Sequence, residues 1–327
     1  MLYSLNVNSI RDVLKRRGKR AIALVDLPKY TVEHLGLSAL NLSTDLLAGV
    51  GRSDLEKIRD TGDRVGCTCL LLSQMDSLPL GDLRGAKADA GVDRAKRVIT
   101  AATLLGCNSA SISIKSKDTD ENFDQCVMRM KQILEHADSV DINILIAPTS
   151  GLTEDPERLT QLIKGIGGFR IGTLPDFQSA YNSGDPAGYL RRLTPYASVV
   201  NATTLGFSEL VADENAEKTP DSLEEGLTGL DALAAELQGM MDVPAPVHEG
   251  LDLVPMVQAL AAVGFDGNIA IDYRGGEMVH LEQCKAAMLW SRPMSRLQGD
   301  RSIGGSHDQR RTADRFQSTK NGGSGVG

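Results

Sequence analysis

The sequence predicts one parallel (β/α)₈ barrel, and three observations carry that expectation. Short apolar runs alternate with longer helical patterns, and most connections are too long for hairpins. The chain has 327 residues, enough for one barrel of about 250 residues with terminal extensions. Two carboxylates stand at or just past the ends of such runs: Asp176 after residues 169–174, and Asp272 within residues 268–273. Carboxylates recur in this way where parallel strands aim their C-terminal ends at a common site.

Residues 1–19 read as an N-terminal extension in which Ser9 caps a short basic helix ending near Gly18. The first strand is expected at 21–26, stopped by Pro28, and the second at 37–43, where Leu40 and Leu42 alternate with Asn41 and Ser43. A charged helix at 54–65 leads to a third strand at 67–73. After a Gly/Asp-rich loop, a helix at 92–105 runs through Gly106 into the fourth strand, 109–115. There Ala110, Ile112 and Ile114 share one face, while Ser109, Ser111, Ser113 and Lys115 share the other. The apolar face should pack on helices and the polar face should look into the barrel.

A helix at 121–139 precedes the fifth strand, 143–147, and Pro156 opens a helix reaching Ile166. Gly167 and Gly168 introduce the sixth strand, 169–174, with Arg170 on its inward face. A helix at 186–193 leads to the seventh strand, 197–202. Residues 206–250 then break the rhythm with eleven acids against one lysine and a helical pattern at 222–241, an acidic insertion over the mouth or at an interface. A helix at 253–263, the eighth strand at 268–273 and a helix at 277–290 complete a barrel spanning 20–290.

Residues 291–327 are Gly/Ser/Arg-rich, carry seven Lys/Arg against three Asp, and are expected to be a disordered tail. The chain has a net charge of -8, so its body is acidic, which argues against nucleic acid as a partner. No run of about 18 apolar residues is present and no basic-then-apolar leader pattern opens the chain. The expectation is a soluble cytoplasmic protein with no membrane partner. The five cysteines are scattered, which speaks against a disulfide framework; Cys67 and Cys69 lack a second Cys/His pair and read as buried thiols.

The runs LGCNSASISI (105–114), NILIAPTSGL (143–152), GTLPDF (172–177), SVVNATT (198–204) and GFDGNIAIDYRGG (264–276) resemble the xylose isomerase-like TIM barrels, the sugar phosphate isomerase/epimerase group. GFDGNIAIDY is the most specific piece. The resemblance implies a divalent metal held by Glu at the end of strand five, Asp after strand six, His at the end of strand seven and Glu at the end of strand eight. The matching positions here are Ala147, Asp176, Asn201 and Asp272. What survives is at best a weak oxygen-only site for Mg²⁺ or Mn²⁺ on Asp176, Asn201, Asp272 and waters. Asp176 and Asp272 would then act as ligands or proton-transfer groups. The competing reading makes them helix-capping or arginine-paired carboxylates.

Arg274, with Gly275 and Gly276 before the last helix, would hold a substrate anion such as phosphate. Alternatively, Arg274 pairs with Asp272 or Asp176 and the glycines serve the turn. Lys115 is either a Schiff-base lysine or a neutraliser of the nearby carboxylates. Gln178 and Thr149 offer hydrogen bonds to a polyol, and His248 lies in the acidic insertion within reach of the mouth. The function expected on the resemblance is proton transfer by a sugar or sugar-phosphate isomerase/epimerase-like protein acting on a small carbohydrate. Two alternatives stand beside it: a non-catalytic barrel serving as a binding or assembly subunit, for which a homo-oligomer is compatible, and a Lys115-dependent lyase or aldolase.

Overall fold

The computed structural model describes residues 2–14, 22–83, 85–207 and 248–275. The helices expected at 222–241 and 277–290, the tail at 291–327 and Gly276 lie outside the described residues.

The chain opens with β1 (Leu2–Asn6) and α1 (Arg11–Leu14), followed by α2 (Leu27–Leu35), β2 (Ala39–Ser43), α3 (Arg52–Val65) and β3 (Thr68–Ser73). Next come α4 (Gly85–Leu104), β4 (Ser109–Ser113), α5 (Asp120–Asp138), β5 (Asn143–Ala147), α6 (Pro156–Ile166) and β6 (Ile171–Thr173). After α7 (Phe177–Asn182) and α8 (Pro186–Leu193) the chain forms β7 (Val199–Thr204), β8 (Gly206–Phe207), β9 (His248–Glu249), α9 (Val254–Ala262) and β10 (Asn268–Tyr273).

Eight of these strands pair in parallel in the order β6-β5-β4-β3-β2-β1-β10-β7. Parallel bridges Thr173↔Ala197 and Asp176↔Asn201 join the two ends of that order, so the sheet curls into the expected barrel. The remaining pair, β8 and β9, is an antiparallel ribbon at the two ends of the acidic insertion. Helix starts and stops follow local chemistry. Thr119 caps α5 by accepting the Asn122 N–H, Asp-Pro pairs open α6 and α8, and α2 and α3 end at the left-handed glycines Gly36 and Gly66.

One expected element is corrected. The first barrel strand is Leu2–Asn6, paired with β10 and β2, where an extension was expected. Within the run at 21–26, Leu24–Asp26 is a 3₁₀ turn, and Pro28 begins α2 rather than ending a strand. Ser9 caps no helix among the described residues. It is buried, donates to the Ile271 carbonyl at 3.0 Å and accepts the Tyr273 N–H at 2.8 Å, stitching the end of β10 to the N-terminal segment. Arg170, expected on the inward face of the sixth strand, lies just before β6 and pairs with Asp141 at 2.6 Å and Asp138 at 3.5 Å.

The main apolar core lies between strands and helices, where the outward residues Leu5, Leu40, Leu72, Ile112, Ile144 and Ile271 are buried. The inside of the barrel is different. Its apolar plug is small, formed by Leu71, Leu145, Leu174, Val199 and Ala270, with Ala147 against it. Around the plug the inward positions are polar: Asn41 donates to Ser4 at 3.0 Å and Ser111 to Ser73 at 2.9 Å. The four described cysteines are buried, and burial pushes the Cys67 thiol up to about 11 and Cys69 to about 12, as expected of packed thiols. Among the described residues no helix is long and apolar enough to cross a membrane.

Candidate functional site

The C-terminal ends of β6, β7 and β10 bring three of the sequence candidates together. The bridge between Asp176 and Asn201 sets those two side by side. The register of β10 on β7 aligns Asp272 with Thr203 and Ala270 with Asn201, so these side chains share the inward face.

Each carboxylate has a distinct setting. Asp176 is the N-cap of α7, its Oδ1 accepting the Ser179 N–H at 3.1 Å, while its Oδ2 accepts the Thr203 hydroxyl at 3.0 Å. Asp272 has no exposed surface. Its Oδ2 accepts Arg274 Nε at 2.8 Å, and its Oδ1 is buried without a hydrogen-bond partner among the described residues. Desolvation lifts the Asp272 carboxyl above the usual range, against the pull of Arg274 and with a further push from Asp176.

Arg274 follows β10, and its backbone N–H is held by the Thr204 carbonyl at 2.8 Å. The side chain folds back so that Nη2 reaches Oδ2 of both Asp176 and Asp272. Of the two arrangements open in the sequence, the structure adopts the ion pair. Gly275 has a packing reason: a Cβ there would collide with the Leu205 carbonyl oxygen and the Tyr273 hydroxyl. The side chain of Arg274 remains 39% exposed, so the guanidinium still faces the mouth.

The other candidates are spread more widely. Among the described residues the Asn201 side-chain oxygen accepts a long contact from Asn6, 3.5 Å. Thr149 spends its hydroxyl on the Ile114 carbonyl at 3.0 Å, and Gln178 donates along α7 to Asn182 at 3.3 Å. Lys115 is exposed past β4 with no ion pair among the described residues, rather than desolvated as a Schiff-base lysine requires. The His248 side chain and Gly276 are not among those described.

A second polar cluster at the same end of the barrel was not anticipated. Arg11 donates to Asp45 Oδ1 at 3.1 Å, to Ser43 at 3.0 Å and to Asn8 at 2.8 Å. The hydrogen bond from Arg11 draws the Asp45 carboxyl down to about 2. The sequence signal that would have found it is the first strand itself, because Arg11 reaches the mouth only once Leu2–Asn6 is in the sheet.

These residues do not fit the metal that the resemblance implies. Ala147 has no donor atom and packs on the inner plug. The two carboxylates that remain share one guanidinium through their Oδ2 atoms, leaving only Oδ1 of Asp272 without a partner among the described residues. Among the described residues no group of three or more His, Cys, Asp or Glu is placed to hold a metal ion. The arrangement instead offers a buried carboxylate, one oxygen of which is unengaged among the described residues, beside a partly exposed guanidinium.

A family model described as xylose isomerase-like TIM barrel matches residues 31–294. No curated protein matches the chain in sequence. Solved structures similar in fold include an L-ribulose 3-epimerase, 11% identical with a TM-score of 0.68 over 94% of this chain and 100% of that one. A D-psicose 3-epimerase crystallised in the presence of D-fructose is 12% identical, with a TM-score of 0.64 over 91% and 100% of the two chains. An IOLI protein with a bound zinc atom is 12% identical, with a TM-score of 0.60 over 92% and 99%.

Proposed function

Because the chain belongs to the xylose isomerase-like TIM barrel family, we propose that it acts on a small carbohydrate, a sugar or sugar phosphate, by isomerase- or epimerase-type proton transfer at the barrel mouth. The observation that carries this reading is Asp272: a wholly buried carboxylate at a strand C-terminus, its proton affinity raised and one oxygen unengaged among the described residues. A carboxylate in that state is suited to take a proton from a carbon beside a carbonyl and return it. Asp176, with its oxygens already engaged by Ser179, Thr203 and Arg274, positions the guanidinium rather than moving protons. Lys115, exposed at the rim, would meet an anionic substituent such as a phosphate. The fold relatives named epimerases support the substrate class.

The test is proton exchange. The full chain is incubated in D₂O with a panel of ketoses, aldoses and their phosphates and followed by proton NMR. Deuterium should enter at the carbon next to the carbonyl of one class, and Asp272→Asn should abolish it. Absence of exchange across the panel overturns the proposal. A second reading, a barrel that binds without turnover, is favoured by Ala147 and Asn201 at two of the implied ligand positions. It predicts a sugar-induced rise in melting temperature with no exchange.

A further inference from the structure

We propose that Arg274 takes the place of the divalent cation at this mouth, its guanidinium supplying the positive charge that anchors the substrate oxygen, so that this chain takes up no metal ion there. The inference deepens the proton-transfer reading and rests on it for the substrate, but not for the charge itself.

The first argument is mutual exclusion. Arg274 Nη2 engages Oδ2 of both Asp176 and Asp272, and Nε adds a second contact to Asp272 at 2.8 Å. Thr203 and the Ser179 N–H occupy the rest of Asp176. A cation bound to these oxygens would have to displace a like charge and leave Arg274 without its carboxylates, each a costly step in a buried setting.

Charge balance is the second argument. The ligand set implied by the resemblance places three carboxylates around a dication, and this chain places two around a monocation. Both leave a single net negative charge. Ala147 and Arg274 therefore read as one compensated exchange: the carboxylate lost from β5 is matched by the smaller charge of the cation. At the β5 position itself, nothing but a methyl group faces the plug.

Position supplies the third. Arg274 is held at its backbone by Thr204, and the close approach of Gly275 to Leu205 leaves that backbone no room to shift. Its Nη1 makes no hydrogen bond among the described residues, and the side chain is 39% exposed. A fixed, partly exposed guanidinium with free N–H groups is a ready partner for a carbonyl oxygen that gains negative charge. In the step so assisted, Asp272 takes the proton from the carbon beside the carbonyl. The C–H electron pair forms the new C=C bond, and the carbonyl electrons move onto the oxygen held by Arg274. Return of the proton from Asp272 to the same carbon of the resulting enediolate restores the carbonyl and completes the exchange, whereas its return to the former carbonyl carbon also requires the neighbouring hydroxyl proton to pass to the oxygen held by Arg274; neither route needs an oxidant or reductant.

Manganese binding separates this inference from turnover. The full-length wild type, stripped with EDTA and titrated with Mn²⁺, is followed by the electron paramagnetic resonance of the free ion. Wild type should bind no Mn²⁺ that depends on Asp272. Arg274→Met, which leaves the carboxylates unpaired, should gain Mn²⁺ affinity on the order of a hundred-fold or more, and Asp176→Asn in that background should remove the gain. Stoichiometric uptake by wild type that Asp272→Asn abolishes would overturn the proposal, as would a folded Arg274→Met with no uptake. Where Arg274→Met fails to fold, the wild-type titration against Asp272→Asn decides alone. Failure of the sugar panel leaves these outcomes unaffected, so the two readings fall separately.

Discussion

Arg274 Nε donates to Oδ2 of Asp272 at 2.8 Å from two residues further along the chain, while Oδ1 of the same carboxylate is buried with no partner among the described residues. The pair is thus half satisfied, and the unsatisfied half is the expensive one. Because desolvation lifts its folded-state pKa above 3.8, the fold holds the Asp272 proton more tightly than the unfolded chain does. Its contribution to stability is full below 3.8 and is lost as pH rises through the raised value. Asp272→Asn should therefore be at least as stable as wild type at neutral pH, with the difference shrinking or reversing in acid. Thermal melts of both proteins across that range check the sign, and a large neutral-pH loss in the variant would contradict it.

The neighbouring Asp45 runs the other way. The Arg11 hydrogen bond holds its carboxyl at about 2, so its stabilising contribution is present above 3.8 and disappears as pH falls toward 2. Carbon-detected NMR titration of the carboxyl groups should show Asp45 as one of the lowest. Arg11→Ala should return it toward 3.8, with only a modest change in stability because the pair is partly exposed.

Asp176 is woven into the fold more tightly than Asp272. Its two oxygens cap α7, accept the Thr203 hydroxyl and hold Arg274. Asp176→Ala strands the buried Thr203 hydroxyl, frees Arg274 and removes a helix cap, at a cost of about 2 kcal/mol. Urea unfolding measures the loss. The contrast with Asp272→Asn, one change costly and the other not, distinguishes a positioning carboxylate from one kept for chemistry.

Seven of the eight barrel strands were legible because their outward residues form apolar runs, as in Ala110, Ile112 and Ile114 beside the inward serines of β4. Leu2–Asn6 was missed for a physical reason: its inward residues Ser4 and Asn6 are polar and its outward signal is short, whereas the more apolar stretch near Leu24 outweighed it and became a 3₁₀ turn. The convergence of Asp176, Asn201 and Asp272 was readable from their places after successive parallel strands. The fold-back of Arg274 onto both carboxylates was readable only as one of two arrangements, because a side-chain direction depends on the packing of Gly275 against Leu205 and not on spacing.

The role of the N-terminal strand can be tested at Ser9. Its hydroxyl is buried, giving one hydrogen bond to β10 and receiving another, so Ser9→Ala leaves the Tyr273 N–H and the Ile271 carbonyl without that partner. The expected cost is about 1–3 kcal/mol. A residue in a loose N-terminal extension would cost nothing measurable.

Gly275 links the fold to the mouth. Any Cβ at this position meets the Tyr273 hydroxyl and the Leu205 carbonyl oxygen, and the second of these is backbone that cannot swing aside. Gly275→Ala must push the backbone away from β7, strain the hydrogen bond from the Arg274 N–H to the Thr204 carbonyl and carry the guanidinium off its two carboxylates. Overpacking of this kind costs about 1–3 kcal/mol. It should also weaken carbohydrate binding by more than the surface change Lys115→Ala does, since it displaces the charge that anchors the ligand oxygen rather than one at the rim. Calorimetric titration of both variants with the sugar class found active in the exchange panel compares the two losses. Equal binding by Gly275→Ala and wild type would show that the place of Arg274 does not matter to the ligand.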